Sequence, residues 1–230
     1  MRGKLEILAM VFGMLGLVGV ATSTGLPMWR VTAFIGSNII VMETMWEGLW
    51  MACYRHADIR MQCKVYDSLL VLKPDIQAAR GLMCAALVLA CVALLVSAFA
   101  LRCTNWCRDD ARGKNVTLAA GGCLYLLSCL AALVPVSWSA HTIIRDFYDQ
   151  RVPESQKREL GQALYVGWVA AAAQLVAGAL LLARYARRSR KEDTEYAHAP
   201  PTENEDEAEA VVVVKPERQA STLYRESEYV

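Results

Sequence analysis

Four stretches of the chain contain no charged residue and are long enough to cross a lipid bilayer, which takes about 20 apolar residues. They comprise residues 7–26, 81–101, 116–135 and 160–183. The polar segments around them are 1–6, 27–80, 102–115, 136–159 and 184–230. Because lipid offers backbone groups no hydrogen-bond partner, each apolar stretch must be a helix. The pattern predicts a membrane protein with four spanning helices.

The first and third stretches have additional features. The first follows Arg2 and Lys4, as a signal peptide would, but residues 25–28 are not a small-x-small cleavage site, so we expect the segment to be retained. Pro135 is expected to bend the third helix. The uncharged run continues through Ile144, so we expect this helix to extend beyond the bilayer.

The formal net charge of +1 divides into two opposite parts: +9 in residues 1–191 and −8 in residues 192–230. Segments 1–6, 102–115 and 184–191 hold 11 Lys or Arg in 28 positions, whereas segments 27–80 and 136–159 hold 10 in 78. Basic residues accumulate on the cytosolic side of a membrane. Both termini are therefore predicted to be cytosolic, with two extracellular loops. No region is basic enough to indicate nucleic-acid binding.

The first outer loop has the composition of β-structure. Strand-forming residues cover 30–34, 39–42, 49–51 and 63–66, with a turn at 35–38. Cys53 and Cys63 are the two cysteines outside the spans on this side, where an oxidising environment favours a disulfide. A metal site formed by Cys53, His56 and Cys63 is the alternative, but it lacks a fourth ligand at finger-like spacing. No metal or other cofactor is predicted.

Seven residues of this loop form a recognisable signature, W…GLW…C…C…R: Trp29, Gly48, Leu49, Trp50, Cys53, Cys63 and Arg80. Together with the stretches 27–38, 46–51, 62–68, 135–138, 146–148, 156–159 and 165–168, it resembles the claudin family over about residues 5–185. The terminal Tyr229-Val230 also fits. The resemblance is closest to the group containing claudins three and four, although the tail differs from theirs.

The resemblance implies an all-α transmembrane four-helix bundle with a small extracellular antiparallel β-sheet, four strands from the first loop and a fifth from the second. It implies a structural protein and not an enzyme, located at the tight junctions of the plasma membrane. Claudins contact other claudins within one membrane and across the gap, forming strands that seal the paracellular space or leave ion-selective pores. A peripheral-myelin-protein-type or channel-auxiliary protein is the alternative. The terminal Tyr-Val and the Cys63–Tyr66 context favour a claudin.

Charge in the first loop bears on ion selectivity. The segment from Cys53 to Lys64 contains three basic residues, Arg55, Arg60 and Lys64, and one acidic residue, Asp58. Cation-pore claudins tend to have an acid at the position of Lys64. Since a narrow gap focuses the field of its lining groups, we expect a cation barrier or a weakly anion-favouring pore. Surface charge without effect on permeation is the alternative.

Four side chains of the outer loops are candidates for contacts between subunits: Phe34, Leu69, Phe147 and Tyr148. Packing within the subunit is the alternative for the aromatic three, and the case for Leu69 depends on its spacing from Cys63. After Tyr148 the chain reads Asp-Gln-Arg-Val-Pro, where enterotoxin-binding claudins have Asn-Pro-Leu-Val. Toxin binding is therefore not predicted.

The cytosolic segments suggest two further sites. Cys103 and Cys107, beside the second span, are candidates for palmitoylation, with free thiols as the alternative. The acidic tail is predicted to be disordered. Its last residues, Glu228, Tyr229 and Val230, are expected to add as a strand to the groove of a junctional PDZ scaffold protein.

Overall fold

The computed structural model describes residues 2–33, 44–55, 60–68, 72, 74–106, 111–153 and 156–198. It contains four long helices: α1 (Arg2–Gly25), α2 (Pro74–Trp106), α3 (Ala111–Tyr148) and α4 (Gln162–His198). The strands are β1 (Arg30–Thr32), β2 (Thr44–Glu47), β3 (Met51–Arg55), β4 (Gln62–Val65) and β5 (Arg158–Leu160). The fold class expected from the sequence, a four-helix membrane bundle with a small antiparallel sheet, is confirmed.

All four helices are long and apolar enough to cross a membrane. Their apolar spans are Leu5–Gly25, Pro74–Ala100, Asn115–Tyr148 and Gln162–Arg190. The helices exceed the uncharged stretches of the sequence: α2 begins seven residues before Gly81, and α3 continues four residues past Ile144. Pro135 lies inside α3. Charged residues at helix ends therefore do not stop the helices, because backbone hydrogen bonding continues through the membrane surface.

The five strands form one antiparallel sheet in the order β4-β3-β2-β1-β5. Residues 49–51 were predicted as a strand, which is wrong for Leu49 and Trp50: both lie in a bend, and β3 begins at Met51. Strand β2 was not predicted. The predicted strand at 39–42 lies outside the described residues.

The buried residues of the bundle form two clusters along its length. The cluster nearer the sheet joins residues of all four helices to Trp29 and Leu49. The second surrounds Tyr125 and includes residues from all four helices. Helix α1 approaches α4 closely: a Cβ at Gly19 would lie 2.6 Å from the Cβ of Ala170. Small residues permit this helix contact, which in lipid depends on close van der Waals packing.

Polar contacts also join helices inside the bundle. The Ser128 hydroxyl lies 3.0 Å from Oε1 of Gln174 and 2.8 Å from the carbonyl oxygen of Ala86, so it connects α3 to α4 and α2. Near the other end, Arg184 Nε donates to Glu6 Oε1 at 3.1 Å, and both side chains are largely buried. These contacts add interhelical hydrogen bonds to the close packing of the helices, both of which favour helix association in lipid.

The chain divides into two compact units, Met1–Ser189 and Arg190–Val230. The first contains the sheet and the helix bundle. Of the second, the structure describes residues 190–198, the final turns of α4.

Candidate functional site: the junction of the sheet and the helices

Trp29 joins the sheet to the end of α1. Its side chain is only 3% exposed, and its indole N–H donates to the carbonyl oxygen of Ser23 at 2.8 Å. Ser23 lies in the last turn of α1, where carbonyl groups lack a partner within the helix. The backbone N–H of Trp29 donates to Glu47 at 3.0 Å. Trp29 therefore supplies a hydrogen-bond donor to the C-terminal turn of α1 and pairs through its backbone with the sheet. Because the side chain is buried, it does not face lipid as a tryptophan at a membrane interface would.

Gly48 follows β2 and leads into the bend at Leu49 and Trp50. A Cβ at Gly48 would lie 2.5 Å from Cα of Pro27, so any side chain would displace the backbone. Leu49 is buried in the core cluster shared with the helices. The bend therefore turns the chain inward, which explains why strand-forming residues at this point do not extend as a strand.

Arg80 connects α2 to the same bend. Its Nε donates to the carbonyl oxygen of Leu49 at 2.5 Å. The guanidinium carbon lies 5.2 Å from the ring centroid of Trp50 and 5.4 Å from that of Tyr66, distances typical of cation–π contacts. Burial raises the pKa of the Tyr66 phenol, which stays protonated and donates to Gly48 at 3.2 Å. Gly48, Leu49, Trp50 and Arg80 of the signature thus meet in one contact network with Tyr66.

The disulfide links the outer two strands of the first loop. Cys53 on β3 and Cys63 on β4 are directly opposite each other in the sheet, and their sulfur atoms are bonded. The predicted pairing is confirmed. Since both thiols are used, the alternative metal site loses two of its three ligands, and no group of metal-binding side chains occurs among the described residues.

The second outer loop is attached to the first by β5, by a hydrogen bond and by one ion pair. Arg158 on β5 donates to Thr32 Oγ1 at 2.9 Å and to Glu47 Oε1 at 3.3 Å. A Cβ at Gly161 would lie 1.9 Å from the carbonyl oxygen of Met28, so this position accepts only glycine.

Arg30 pairs with Asp75 at the start of α2, and both side chains are buried. These partners were not predicted, and neither were the Glu6–Arg184 pair or the Ser128–Gln174 contact, because nothing in the sequence indicates which distant polar groups meet.

The residues proposed for charge selectivity lie on the disulfide-linked hairpin. Arg55, Arg60 and Lys64 are exposed, and Asp58 lies outside the described residues. Lys64 Nζ is 2.6 Å from Oδ2 of Asp67, an acid that follows the segment considered in the sequence analysis. The hydrogen bond and charge of Asp67 raise the pKa of Lys64 above its ordinary value of 10.5. Counting Asp67, residues 53–67 hold three basic and two acidic side chains, a net of +1.

Of the four candidates for contacts between subunits, the structure describes Phe147 and Tyr148. Tyr148 is 78% exposed, and its ring meets that of Phe147 edge-on at 5.5 Å. Phe147 is half-buried, with Lys157 Nζ 5.7 Å from its ring centroid. Phe34 and Leu69 lie outside the described residues, as do Cys107 and the terminal Glu228, Tyr229 and Val230. Cys103 lies in the last turn of α2, and its side chain is not described.

These features define a four-helix membrane protein that carries a disulfide-linked sheet fixed to the helix ends. A family model described as the PMP-22/EMP/MP20/Claudin family matches residues 4–181. The chain belongs to this family, and its similar relatives are claudins.

Claudin-3 of Homo sapiens is 54% identical over 187 residues, covering 81% of this chain and 84% of the relative. Claudin-4 of Canis lupus familiaris is 50% identical over 177 residues, covering 77% and 84%. The expected similarity to the group of claudins three and four is confirmed. Claudin-8 of Mus musculus is 45% identical over 226 residues, covering 98% of both chains, so that similarity includes the tail.

Proposed function

We propose that this chain forms tight-junction strands that seal the paracellular space and oppose the passage of cations. The observation that carries the selectivity is the exposed basic hairpin of β3 and β4, which bears Arg55, Arg60 and Lys64. A narrow aqueous gap focuses the field of such groups on passing ions. Its function is structural and adhesive, and no catalytic step is assigned to it.

The hairpin carries a small net charge, +1 over residues 53–67, so we expect a small effect on the sodium-to-chloride permeability ratio. Asp67 neutralises much of the field of Lys64, because the two groups are hydrogen-bonded at 2.6 Å. Arg55 and Arg60 form no ion pair with any residue that the structure describes. The protein therefore acts as a barrier with a weak preference for anions, and the two arginines carry most of the selectivity.

Sidedness follows from charge and redox chemistry. The basic segments 1–6, 102–115 and 184–191 belong to the cytosol under the positive-inside rule. The disulfide belongs to the oxidising outer side, at the end of the bundle where the sheet lies. A tag placed before Met1 should react with antibody only after the cells are permeabilised. Labelling of intact cells would reverse the topology.

Partners on the outer side are other claudins and further copies of this chain. Tyr148 is the most exposed aromatic side chain in the described part of the second loop and is proposed for contacts across the gap. Phe34 and Leu69 are proposed for contacts between subunits. Phe147 is proposed for the same role and also packs edge-on against the ring of Tyr148.

Two sites are proposed on the cytosolic side. Glu228, Tyr229 and Val230 bind a PDZ scaffold through strand addition, and Cys103 and Cys107 are palmitoylated. Deleting Tyr229 and Val230 should abolish capture of a junctional PDZ scaffold from epithelial lysate, whereas undiminished capture would refute that site. Replacing both cysteines with serine should remove acyl-exchange labelling.

Freeze-fracture of fibroblasts that lack junctions tests strand formation. Expression of this chain should produce continuous intramembrane strands at cell contacts. Surface-expressed protein without strands would instead favour the adhesion or channel-auxiliary class within the same family.

A further inference from the structure

A groove beside Arg80 opens at the sheet end of α2. It has a volume of about 380 Å³ and is lined by Trp50, Gln77, Arg80, Gly81 and Cys84. The uncharged stretch of this helix begins at Gly81. Arg80 therefore lies at the boundary between hydrocarbon and headgroups, and the groove faces the membrane surface on the sheet side.

Arg80 is a buried cation with no counter-ion among the residues that the structure describes. Arg80 is only 7% exposed. No carboxylate of the described residues lies within salt-bridge distance of its guanidinium group. Nε donates to the carbonyl oxygen of Leu49, and the rings of Trp50 and Tyr66 pack against the guanidinium group. The Nη edge has no hydrogen bond to the described residues, and burying an uncompensated charge costs free energy.

The groove also has room for a ligand that continues into the bilayer. A Cβ at Gly81 would meet no atom within 4 Å, so the helix surface beside Arg80 is open. One and two turns further along α2, Cys84 and Val88 are exposed, and Val88 is 63% exposed. The groove, mostly apolar apart from the side chains of Arg80 and Gln77, thus leads directly onto an exposed apolar surface of α2.

We propose that this groove binds the phosphate group of a phospholipid from the leaflet on the sheet side. The two Nη groups of Arg80 donate to phosphate oxygens, since a guanidinium presents paired donors that match phosphate geometry. The acyl chains lie along α2 beyond Gly81. A lipid is favoured over a free phosphate ion because the groove opens at the start of an apolar span, where each phospholipid supplies one phosphate next to hydrocarbon.

Native mass spectrometry of the detergent-purified full chain, titrated with phosphatidylcholine, tests the proposal. The parent chain should retain one tightly bound lipid. Gly81→Leu fills the groove at a position where a side chain meets no neighbour, so the protein should fold and bind the lipid about tenfold more weakly. Val116→Leu is the matched control: Val116 is 64% exposed on α3, at the end of the bundle opposite the sheet, and the variant should bind as the parent does. Equal occupancy in the parent and Gly81→Leu, or equal loss in Val116→Leu, would overturn the proposal.

Two further arms identify the chemistry of the ligand. Diacylglycerol with the same chains lacks the phosphate and should not occupy the site at concentrations at which phosphatidylcholine saturates it. Millimolar inorganic phosphate should not displace the bound phospholipid. Equal binding of diacylglycerol would reduce the site to an acyl-chain groove, and displacement by inorganic phosphate would make it a site for a free anion; either result contradicts the assignment.

Discussion

Arg80 Nε donates to the carbonyl oxygen of Leu49 at 2.5 Å, and this contact joins the second helix to the bend between two strands of the sheet. Leu49 itself is buried among the helices, and Trp50 covers the guanidinium. The GLW part of the signature therefore supplies a carbonyl oxygen, a core side chain and an aromatic ring to one junction. The signature residues Leu49, Trp50 and Arg80 fix the sheet to the bundle, whereas the selectivity that we propose depends on the exposed hairpin.

Replacing Trp29 with phenylalanine should weaken the junction while keeping most of the apolar packing. The change removes the donor to Ser23, leaving a buried carbonyl group of the last turn of α1 without its partner. We expect a loss of about 1–3 kcal/mol, seen as a lower unfolding temperature of the detergent-purified protein. Trp138→Phe is the control because Trp138 is 65% exposed, and it should change the temperature little. Equal effects would contradict the account.

Replacing Gly161 with alanine should prevent correct attachment of the second loop. The added Cβ would lie 1.9 Å from the carbonyl oxygen of Met28, which is backbone and cannot rotate away. The expected result is loss of surface expression, measured by biotinylation of intact cells. Gly81→Ala adds the same methyl group in open space and should reach the surface normally. Normal surface levels of Gly161→Ala would show that the loop packs differently.

Breaking the pair between Glu6 and Arg184 should destabilise the bundle end opposite the sheet. Glu6→Gln leaves the Arg184 guanidinium largely buried without a counter-charge, at a cost of about 1–3 kcal/mol, since part of the penalty is relieved when arginine extends toward the membrane surface. Thermal unfolding followed by size-exclusion chromatography measures the loss. The double variant Glu6→Arg, Arg184→Glu should recover part of it. If the double variant were no more stable than Glu6→Gln, the pair would not be coupled.

Asp67 should limit the anion preference of the hairpin. Asp67→Asn removes the acid paired with Lys64 and should lower the sodium-to-chloride permeability ratio, on the order of twofold for one exposed charge in water. Lys64→Asp should raise the ratio, and Lys64→Arg should leave it unchanged. Because Asp67 raises the pKa of Lys64, its positive charge is fully present below the ordinary value of 10.5, and these effects should not vary with pH near neutrality. Dilution potentials across monolayers give the ratio; no response to Asp67→Asn or to Lys64→Asp would exclude this pair from selectivity.

The sequence predicted the features that local pattern determines. The length of the four stretches without charged residues identified the four helices. The location of Cys53 and Cys63 on the oxidising outer side identified their disulfide. It failed where tertiary packing overrides local preference. Leu49 and Trp50 favour a strand by composition, yet one is buried among helices and the other covers Arg80, so the chain bends there.

Long-range ion pairs were beyond prediction for a different reason. Glu6 and Arg184 are 178 residues apart, and each belongs to a segment whose charges the sequence assigned to the membrane surface. Only the packing of α1 against α4 brings them together. The effect of Asp67 depends on the chain path after β4, which brings its carboxylate to Lys64 three residues earlier, and strand-forming composition alone does not specify that path.

Transepithelial resistance and dilution potential in a monolayer of an epithelial line with few claudins test the central claim most directly. Expression of this chain should raise the resistance and lower the sodium-to-chloride permeability ratio, because added strands with an exposed basic hairpin close the paracellular path to cations first. If the protein reached cell contacts and left both quantities unchanged, or if it raised the ratio, the account of a cation-opposing tight-junction barrier would be contradicted.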